Sequence, residues 1–494
     1  MKKTMLTLGF MAGAVLLHAQ NDVDALRYSF IKSGYTAKAI AIGGATGALG
    51  ADVSSAGVNP AAMAQYKGGE LSFSAAFNNI LNASDYDGNI REENLFKAGI
   101  PSVGLVFTHR KIENGMPAKK GWVNVNFGMN MGRVADFNRI NAYGGLNKNS
   151  SLLDYFAERS NGISPDLLRA TDNEFDYGFR DDETMAWESY LIDHAGNNQY
   201  VAHIDPMNRS IQQKGVITGK GGMHEINFSL AANYSNTLYL GGTLKVTTVK
   251  YEETNRFTEI NDPASAMGWN NFQYTQNLNT TGTGVSGVLG MVYRPNQNIR
   301  IGLSYNTPVN LNLDDEYSST LKTVFDTGAV YDYRSVKGTY AYEIQTPAKT
   351  TLSAAYLFEK KGFISADFDA VNYSAMRLRP EINEFEAAND RIRSKYALAY
   401  NMRIGGEYVQ DVFRFRAGYA RYGNPFRDNS SELTSQSISG GLGIKEKSWG
   451  LDLGINRLIT QDMVQPYVLN RTAVPVSNGK WTNTQVMVTM TANF

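Results

Sequence analysis

The glycines of Gly282-Thr-Gly-Val-Ser-Gly287 have the spacing of a phosphate-cradling turn. Such a turn binds a dinucleotide only between the strand and helix of a βαβ unit, and no such unit flanks it, so these glycines are expected inside a strand. His109, His194, His203 and His224 show no two-histidine helical spacing, which argues against a metal centre. A hydrolase would need a serine beside one of these histidines and an orienting partner, and no Gly-x-Ser-x-Gly motif is present. Asp181-Asp-Glu183 and Asp314-Asp-Glu316 could hold a divalent cation. The plainer reading, a solvated loop face or a cation bridge to lipopolysaccharide, is preferred. No catalytic residue, cofactor or metal site is assigned. More telling are Lys245, Arg300, Asp367, Asp369, Arg403, Glu407, Arg414, Arg416 and Asp452, which all fall on the polar phase of alternating segments. Charges of both signs on one inner face imply paired packing around a filled lumen rather than a single-sign ion filter. Lys245, Arg300, Arg403, Arg414 and Arg416 are the candidate lumen charges; some of the arginines could meet a substrate carboxylate by paired hydrogen bonds, but a structural role is the expectation for each.

These charges sit in strands. Leu71, Phe73, Ala75 and Phe77 alternate with small polar residues. So do Val123 to Met131, Leu238 to Val246, Ile299 to Tyr305, Phe413 to Tyr419 and Trp449 to Ile455. The chain ends Val486-Met-Val-Thr-Met-Thr-Ala-Asn-Phe494 with the same period. One apolar and one polar face per strand is the pattern of a transmembrane β-strand, and a final aromatic suits a barrel's closing strand. Period alone does not separate this from a soluble sandwich. The connections do. Tight links near Tyr234–Thr237, Pro295–Asn298, Glu359–Gly362, Gln410–Asp411 and Glu446–Ser448 alternate with long polar stretches, as in an outer-membrane barrel. Counting from Glu70 gives about fourteen strands, so the fold class is an all-β transmembrane antiparallel barrel over 70–494.

Export is expected too. Met1-Lys-Lys3 followed by the apolar run Met5–Leu17 and a small residue at Ala19 reads as a signal peptide over 1–19. The chain carries 28 Tyr, 23 Phe and 47 Gly at a mean hydropathy of −0.32, as expected where lumen-facing residues dilute an apolar exterior. There is no cysteine, so no disulfide framework closes the fold. Basic and acidic residues balance at 47 each, which argues against a nucleic-acid partner.

Two segments stand apart. The stretch 136–222 is expected to be a long extracellular loop with short helices beginning near Ser150 and Ser164, and such loops are usually functional. Residues 20–69 are too rich in Gly and Ala for a membrane strand. Ile40, Ile42, Leu49, Val58 and Met63 give them apolar anchors that a flexible linker would lack. They are expected to plug the lumen.

Within that plug, Ala41-Ile-Gly-Gly-Ala45, Ala51-Asp-Val-Ser-Ser55 and Asn59-Pro60-Ala61 occur in order. This arrangement resembles the hatch of the outer-membrane long-chain fatty-acid transporter family, which includes aromatic-hydrocarbon channels, and it is most similar to Bacteroidetes-type members. Ala62 stands where many members carry glycine. The resemblance implies a monomeric fourteen-stranded barrel of a Gram-negative outer membrane, inserted by the barrel assembly machinery among lipid and lipopolysaccharide. It implies Gly43, Gly44, Ala45, Asn59, Pro60 and Ala61 as hatch or gating residues and a hydrophobic small molecule as substrate. It also implies a side opening at a kink in the third strand, about 121–134, where Gly128 or Gly132 would permit the bend. The expected function is passive transport of long-chain fatty acids or aromatic hydrocarbons without a cofactor. A structural or adhesion barrel with a sealed lumen is the alternative, and a hydrophilic porin would not need the hatch.

Overall fold

The computed structural model describes residues 22–168, 181–205, 209–262, 268–380, 385–428 and 434–494. The signal-peptide expectation lies outside the described residues. Fourteen antiparallel strands close into a barrel. They are β1 (Glu70–Tyr86), β2 (Asn89–Arg110), β3 (Trp122–Asp136), β4 (Ile211–Tyr234) and β5 (Leu238–Ile260). β6 (Trp269–Tyr293) follows. β7 is split into Ile299–Asn306 and Asn310–Phe325, and β8 into Gly338–Gln345 and Lys349–Leu357. The circuit continues with β9 (Gly362–Asn372), β10 (Leu398–Gln410), β11 (Phe413–Tyr422) and β12 (Ser435–Lys445). It ends with β13 (Trp449–Val464) and β14 (Ser477–Asn493). β14 pairs with β1 from Glu70↔Asn493 to Tyr86↔Ser477, which leaves no free edge between first and last strands. The terminal residue joins the seam: the Gly69 amide donates to the Phe494 carbonyl at 2.8 Å, and the Phe494 ring meets Phe107 edge-on at 6.1 Å.

The apolar belt lies at the end of the barrel that carries the tight turns. Phe73, Leu240, Leu244, Leu303, Phe415, Leu453 and Met490 face outward and are exposed. About ten residues of each strand suffice for the hydrocarbon layer, yet β5 has 23 and β6 has 25. Beyond the belt the outward residues turn polar, as at Lys214, Lys220, Lys250, Asp314 and Glu316, while Ile211, Ile217, Tyr251 and Leu313 stay buried inside.

This inversion corrects the boundaries expected for the 136–222 loop. β3 shifts register between Arg133 and Ala135 and is followed by a strand over Arg139–Asn147. That strand pairs with β4 from Arg139↔Gly219 to Asn147↔Ile211. The segment outside the barrel sheet is therefore 148–210. Its described residues contain α3 (Leu152–Ser160), a 3₁₀ turn at Pro165–Leu167, α4 (Asp181–Glu188) and a hairpin of Ile192–Gly196 with Gln199–Ala202. α3 opens on a complete capping box of Ser151 and Asp154. It buries Leu152, Leu153 and Phe156 against Phe272, Tyr274 and Trp269, which caps the far end of the barrel.

Candidate functional site

The N-terminal segment lies inside the lumen. It holds α1 (Asp22–Ser29), α2 (Ala37–Ala41) and two 3₁₀ turns, Val53–Gly57 and Pro60–Gln65. The sequence sets each start. Thr36 accepts from the Ala39 amide, Asp52 from the Ser54 amide at 2.8 Å and Asn59 from the Ala61 amide at 3.2 Å, with Pro60 in the first turn. Gly43 and Gly44 take positive φ of 67° and 79°. A Cβ at Gly43 would lie 2.9 Å from the Tyr419 carbonyl oxygen, so this turn runs backbone-to-backbone along the wall.

The wall is built to receive the segment. Inward hydroxyls meet its carbonyls: Ser365 donates to Ala45 at 2.7 Å, Ser304 to Val58 at 2.7 Å and Thr243 to Ala56 at 3.0 Å. Asn126 donates to Met63 at 2.7 Å and Asn124 to Ala64 at 3.0 Å. Inward glycines leave the room. A side chain at Gly241 would strike Pro60, at Gly290 Asn59, at Gly418 Ile42 and at Gly454 Ala37. Asn59 also donates to the Gly47 carbonyl at 2.8 Å, and the Gly47 amide donates to Asp367 at 3.1 Å, which ties the Asn-Pro-Ala stretch, through the turn that follows Gly43–Ala45, to one wall carboxylate.

The expected lumen charges divide. Arg403 forks onto Asp369, with Nη2 to Oδ1 at 2.8 Å, and reaches Asp367 at 3.4 Å, all three being buried. Lys245 pairs with Glu225 at 2.8 Å. Arg416 bridges Glu407 at 2.7 Å and Asp452 at 2.5 Å. These three pack the wall around the segment and are already neutralised. Arg414 donates to the carbonyls of Asp411 and Phe413 in the turn before β11. Arg300 is half-buried with an unpartnered Nε. Two of the loop acids are paired as well: Glu183 with Arg159, and Glu316 with Lys337 at 2.7 Å.

β3 is where the wall changes. Its pairing with β2 ends at Ser102↔Gly132, whereas β2 stays paired with β1 as far as Tyr86↔Asn89. Past this point β3 turns inward. The strand Arg139–Asn147 runs behind β1, with Asn82 donating to the Ile140 carbonyl at 3.2 Å and Ser84 to Asn141 at 2.7 Å. The upper half of β2 is left without a neighbour on that side, and Arg91, Glu93, Leu95 and Lys97 are not buried. Arg133 stands at the mouth, donating to the Gly221 carbonyl at 2.6 Å and to Asp136 at 3.2 Å. The bend expected at Gly128 or Gly132 falls instead at Arg133–Ala135, since both glycines pair on both sides. Their missing side chains serve the N-terminal segment: a Cβ at Gly128 would lie 2.6 Å from Met63 Cε, and one at Gly132 2.5 Å from the Tyr35 ring. Tyr35 was not singled out from sequence. Asn130 and Asn227 donate to its hydroxyl at 2.7 and 3.2 Å. The run of asparagines on the polar face of β3 was the available signal.

Inside the cap the lumen holds an apolar cluster of Val249, Leu311, Leu313, Ile344, Val371 and Leu378, into which Ala25 and Tyr28 of α1 pack. At its outer end Glu259 is fully buried and accepts from Ser151, the Leu152 amide and Gln213. Burial pushes its carboxyl up to about 7, against the lowering effect of these hydrogen bonds.

A closed belt-bearing barrel with a folded segment in its lumen and an interrupted wall defines a β-barrel protein of the outer membrane. The chain belongs to the outer membrane protein transport family (OMPP1/FadL/TodX), whose profile matches residues 216–464, half of its length. That family is one of transporters, not enzymes. Solved structures share the fold. The toluene transporter TodX of Pseudomonas putida aligns at TM-score 0.52 and 13% identity over 94% of this chain and 100% of its own. A FadL homologue of Pseudomonas aeruginosa aligns at 0.52 and 12%, over 94% and 99%. The toluene transporter TbuX of Ralstonia pickettii aligns at 0.50 and 14%, over 94% and 99%. No curated protein matches the sequence.

Proposed function

We propose that this chain carries hydrophobic small molecules, long-chain fatty acids or aromatic hydrocarbons, passively across the outer membrane, with the N-terminal segment as a hatch and exit sideways through the wall. The observation that carries this reading is the end of β2–β3 pairing at Ser102↔Gly132, next to an apolar lumen. A water-filled pore would offer an apolar solute no gain. Moving each CH₂ from water into such a lumen gains about 0.8 kcal/mol, and a side exit passes it on to lipid without rehydration. The hatch need not leave, because the gap lies on its flank. Two of the structural relatives are described as toluene transporters, which supports the aromatic branch of the substrate class.

The test joins β2 to β3. Cysteines at Gly99 and Arg133, where a Cβ at Gly99 would lie 3.8 Å from the tip of the Arg133 guanidinium, flank the gap and can be bridged by a bifunctional methanethiosulfonate in an otherwise cysteine-free chain. Bridging is expected to abolish uptake of labelled oleate or toluene by cells lacking their own transporter, and reduction to restore it. Uptake unchanged by bridging rejects the side exit. Absence of uptake of any hydrophobic compound by the correctly inserted wild type rejects transport, and the sealed structural or adhesion barrel takes its place.

A further inference from the structure

Tyr28 of α1 is buried within the apolar lumen cluster, and its ring meets Phe137 edge-on at 5.8 Å. Its hydroxyl lies beside Thr280 and Asp315 yet makes no full hydrogen bond. Asp315 is itself buried, accepts from Thr280 at 2.5 Å through one oxygen, and keeps its other oxygen unpartnered with Tyr342 nearby. A phenol ring in an apolar slot, its oxygen directed at a carboxyl and two hydroxyls, is the arrangement a phenolic ligand would need. The cations near it are already used: Arg27 pairs with Asp24 and stacks on Tyr251 at 4.3 Å, and Arg139 pairs with Glu253. A ligand carboxylate there would face Asp24 and Asp315 as like charges. A bare hydrocarbon would leave the Asp315 oxygen unsatisfied.

We infer that the wall slot now holding the Tyr28 side chain is a binding site for hydroxylated aromatic molecules of the phenol class, with Tyr28 as its resident occupant. The inference rests on the transport reading and narrows it to uncharged, hydroxyl-bearing aromatics. Asp315 lies beyond the belt, between the outward-facing Asp314 and Glu316, and burial pushes its carboxyl up to about 7. In either protonation state it offers an oxygen to a ligand hydroxyl.

Calorimetric titration of the purified full-length chain with p-cresol, toluene and p-toluate tests this directly. p-Cresol is expected to bind about tenfold tighter than either of the others, the worth of one hydrogen bond to a buried carboxyl. Asp315→Leu should erase that preference, weakening p-cresol and tightening toluene, which then meets no unsatisfied carboxyl. Tyr28→Phe keeps the packing but removes the competing hydroxyl, so it should tighten p-cresol binding. Equal affinity for p-cresol and toluene, tighter p-toluate, or a preference that survives in both variants overturns the site. Uptake of labelled toluene, measured in parallel, separates the two readings. Toluene uptake without a p-cresol preference rejects only the phenol site, whereas a p-cresol preference without uptake of any compound rejects transport.

Discussion

Gly132→Val places a branched side chain where a single Cβ already lies 2.5 Å from the Tyr35 ring. β3 is paired on both sides there, with Ser102 and Glu225, and a valine suits a strand, so the wall should hold and Tyr35 should yield. Displacing Tyr35 breaks its bonds from Asn130 and Asn227, at about 1 kcal/mol each. Partial exposure of a buried tyrosine ring adds roughly 2 kcal/mol. The sum, about 4 kcal/mol, raises the population of an undocked N-terminal segment by roughly a thousandfold. Gly128→Val is the internal control, because its nearest neighbour is the flexible end of Met63 at 2.6 Å, which swings aside at small cost. The readout is labelling of a cysteine introduced at Ser55, buried at the heart of the segment in a chain with no cysteine of its own. A membrane-impermeant maleimide applied to reconstituted protein should modify it far faster in Gly132→Val than in Gly128→Val or the parent, and single-channel conductance should rise in step. Labelling as slow in Gly132→Val as in Gly128→Val would refute the account of these glycines as notches for the segment and return them to the role of strand hinges.

Other outcomes follow from the same contacts. Deleting Phe494 removes the exchange of hydrogen bonds with Gly69 and the contact with Phe107, so heat-modifiable barrel should form in lower yield with export unchanged. Arg403→Met leaves Asp367 and Asp369 buried without their shared cation. It should cost about 3–5 kcal/mol and lower the temperature at which the barrel unfolds on gels, while Asp369→Asn, which keeps Asp367 for Arg403, should cost less. Glu259 is pushed up from 4.5 to about 7, so its folded form holds a proton that the unfolded form has released. Its contribution is present below about pH 4.5 and lost as pH rises through 7, on the order of 3 kcal/mol in all. Amide exchange in α3 should accelerate between about pH 5 and 7 by more than base catalysis alone gives, and Glu259→Gln should remove that excess.

The strands were legible wherever they crossed the belt, because hydrocarbon outside and polar packing inside impose a period of two that composition cannot hide. They became illegible where they left it. Lys214 and Lys220 face out while Gln213 and Ile217 face in, so the apolar phase switches sides within β4 and a search for outward apolar residues ends the strand early. The hatch-like residues were readable as motifs, since Asn59-Pro60 and Gly43-Gly44 each solve a local backbone problem. Their receptors were not. Gly241, Gly290 and Gly418 are ordinary strand glycines until the register sets them against Pro60, Asn59 and Ile42. The bend in β3 had no compositional mark either: it falls at Arg133–Ala135, one step beyond the glycine that seemed built for it.

The anchors of the N-terminal segment lie either away from the interruption of the wall or, for Asn124 and Asn126 of β3, on the paired side of Gly132 below it, and this bears on how a solute could cross. The polar contacts to Ala45, Gly47, Ala56 and Val58 come from β5, β7 and β9, and the gap lies between β2 and β3. At the bend itself the Lys32 amide donates to the Val134 carbonyl at 3.0 Å, and the Tyr35 ring fills the space in front of Gly132. A small rearrangement around Lys32 and Tyr35 would therefore widen the flank without breaking the Arg403–Asp367–Gly47 connection on the opposite side. Firm anchoring of the segment and the proposed passage are compatible on this division, because the contacts that hold Ala45, Gly47, Ala56 and Val58 are not those beside the β2–β3 gap.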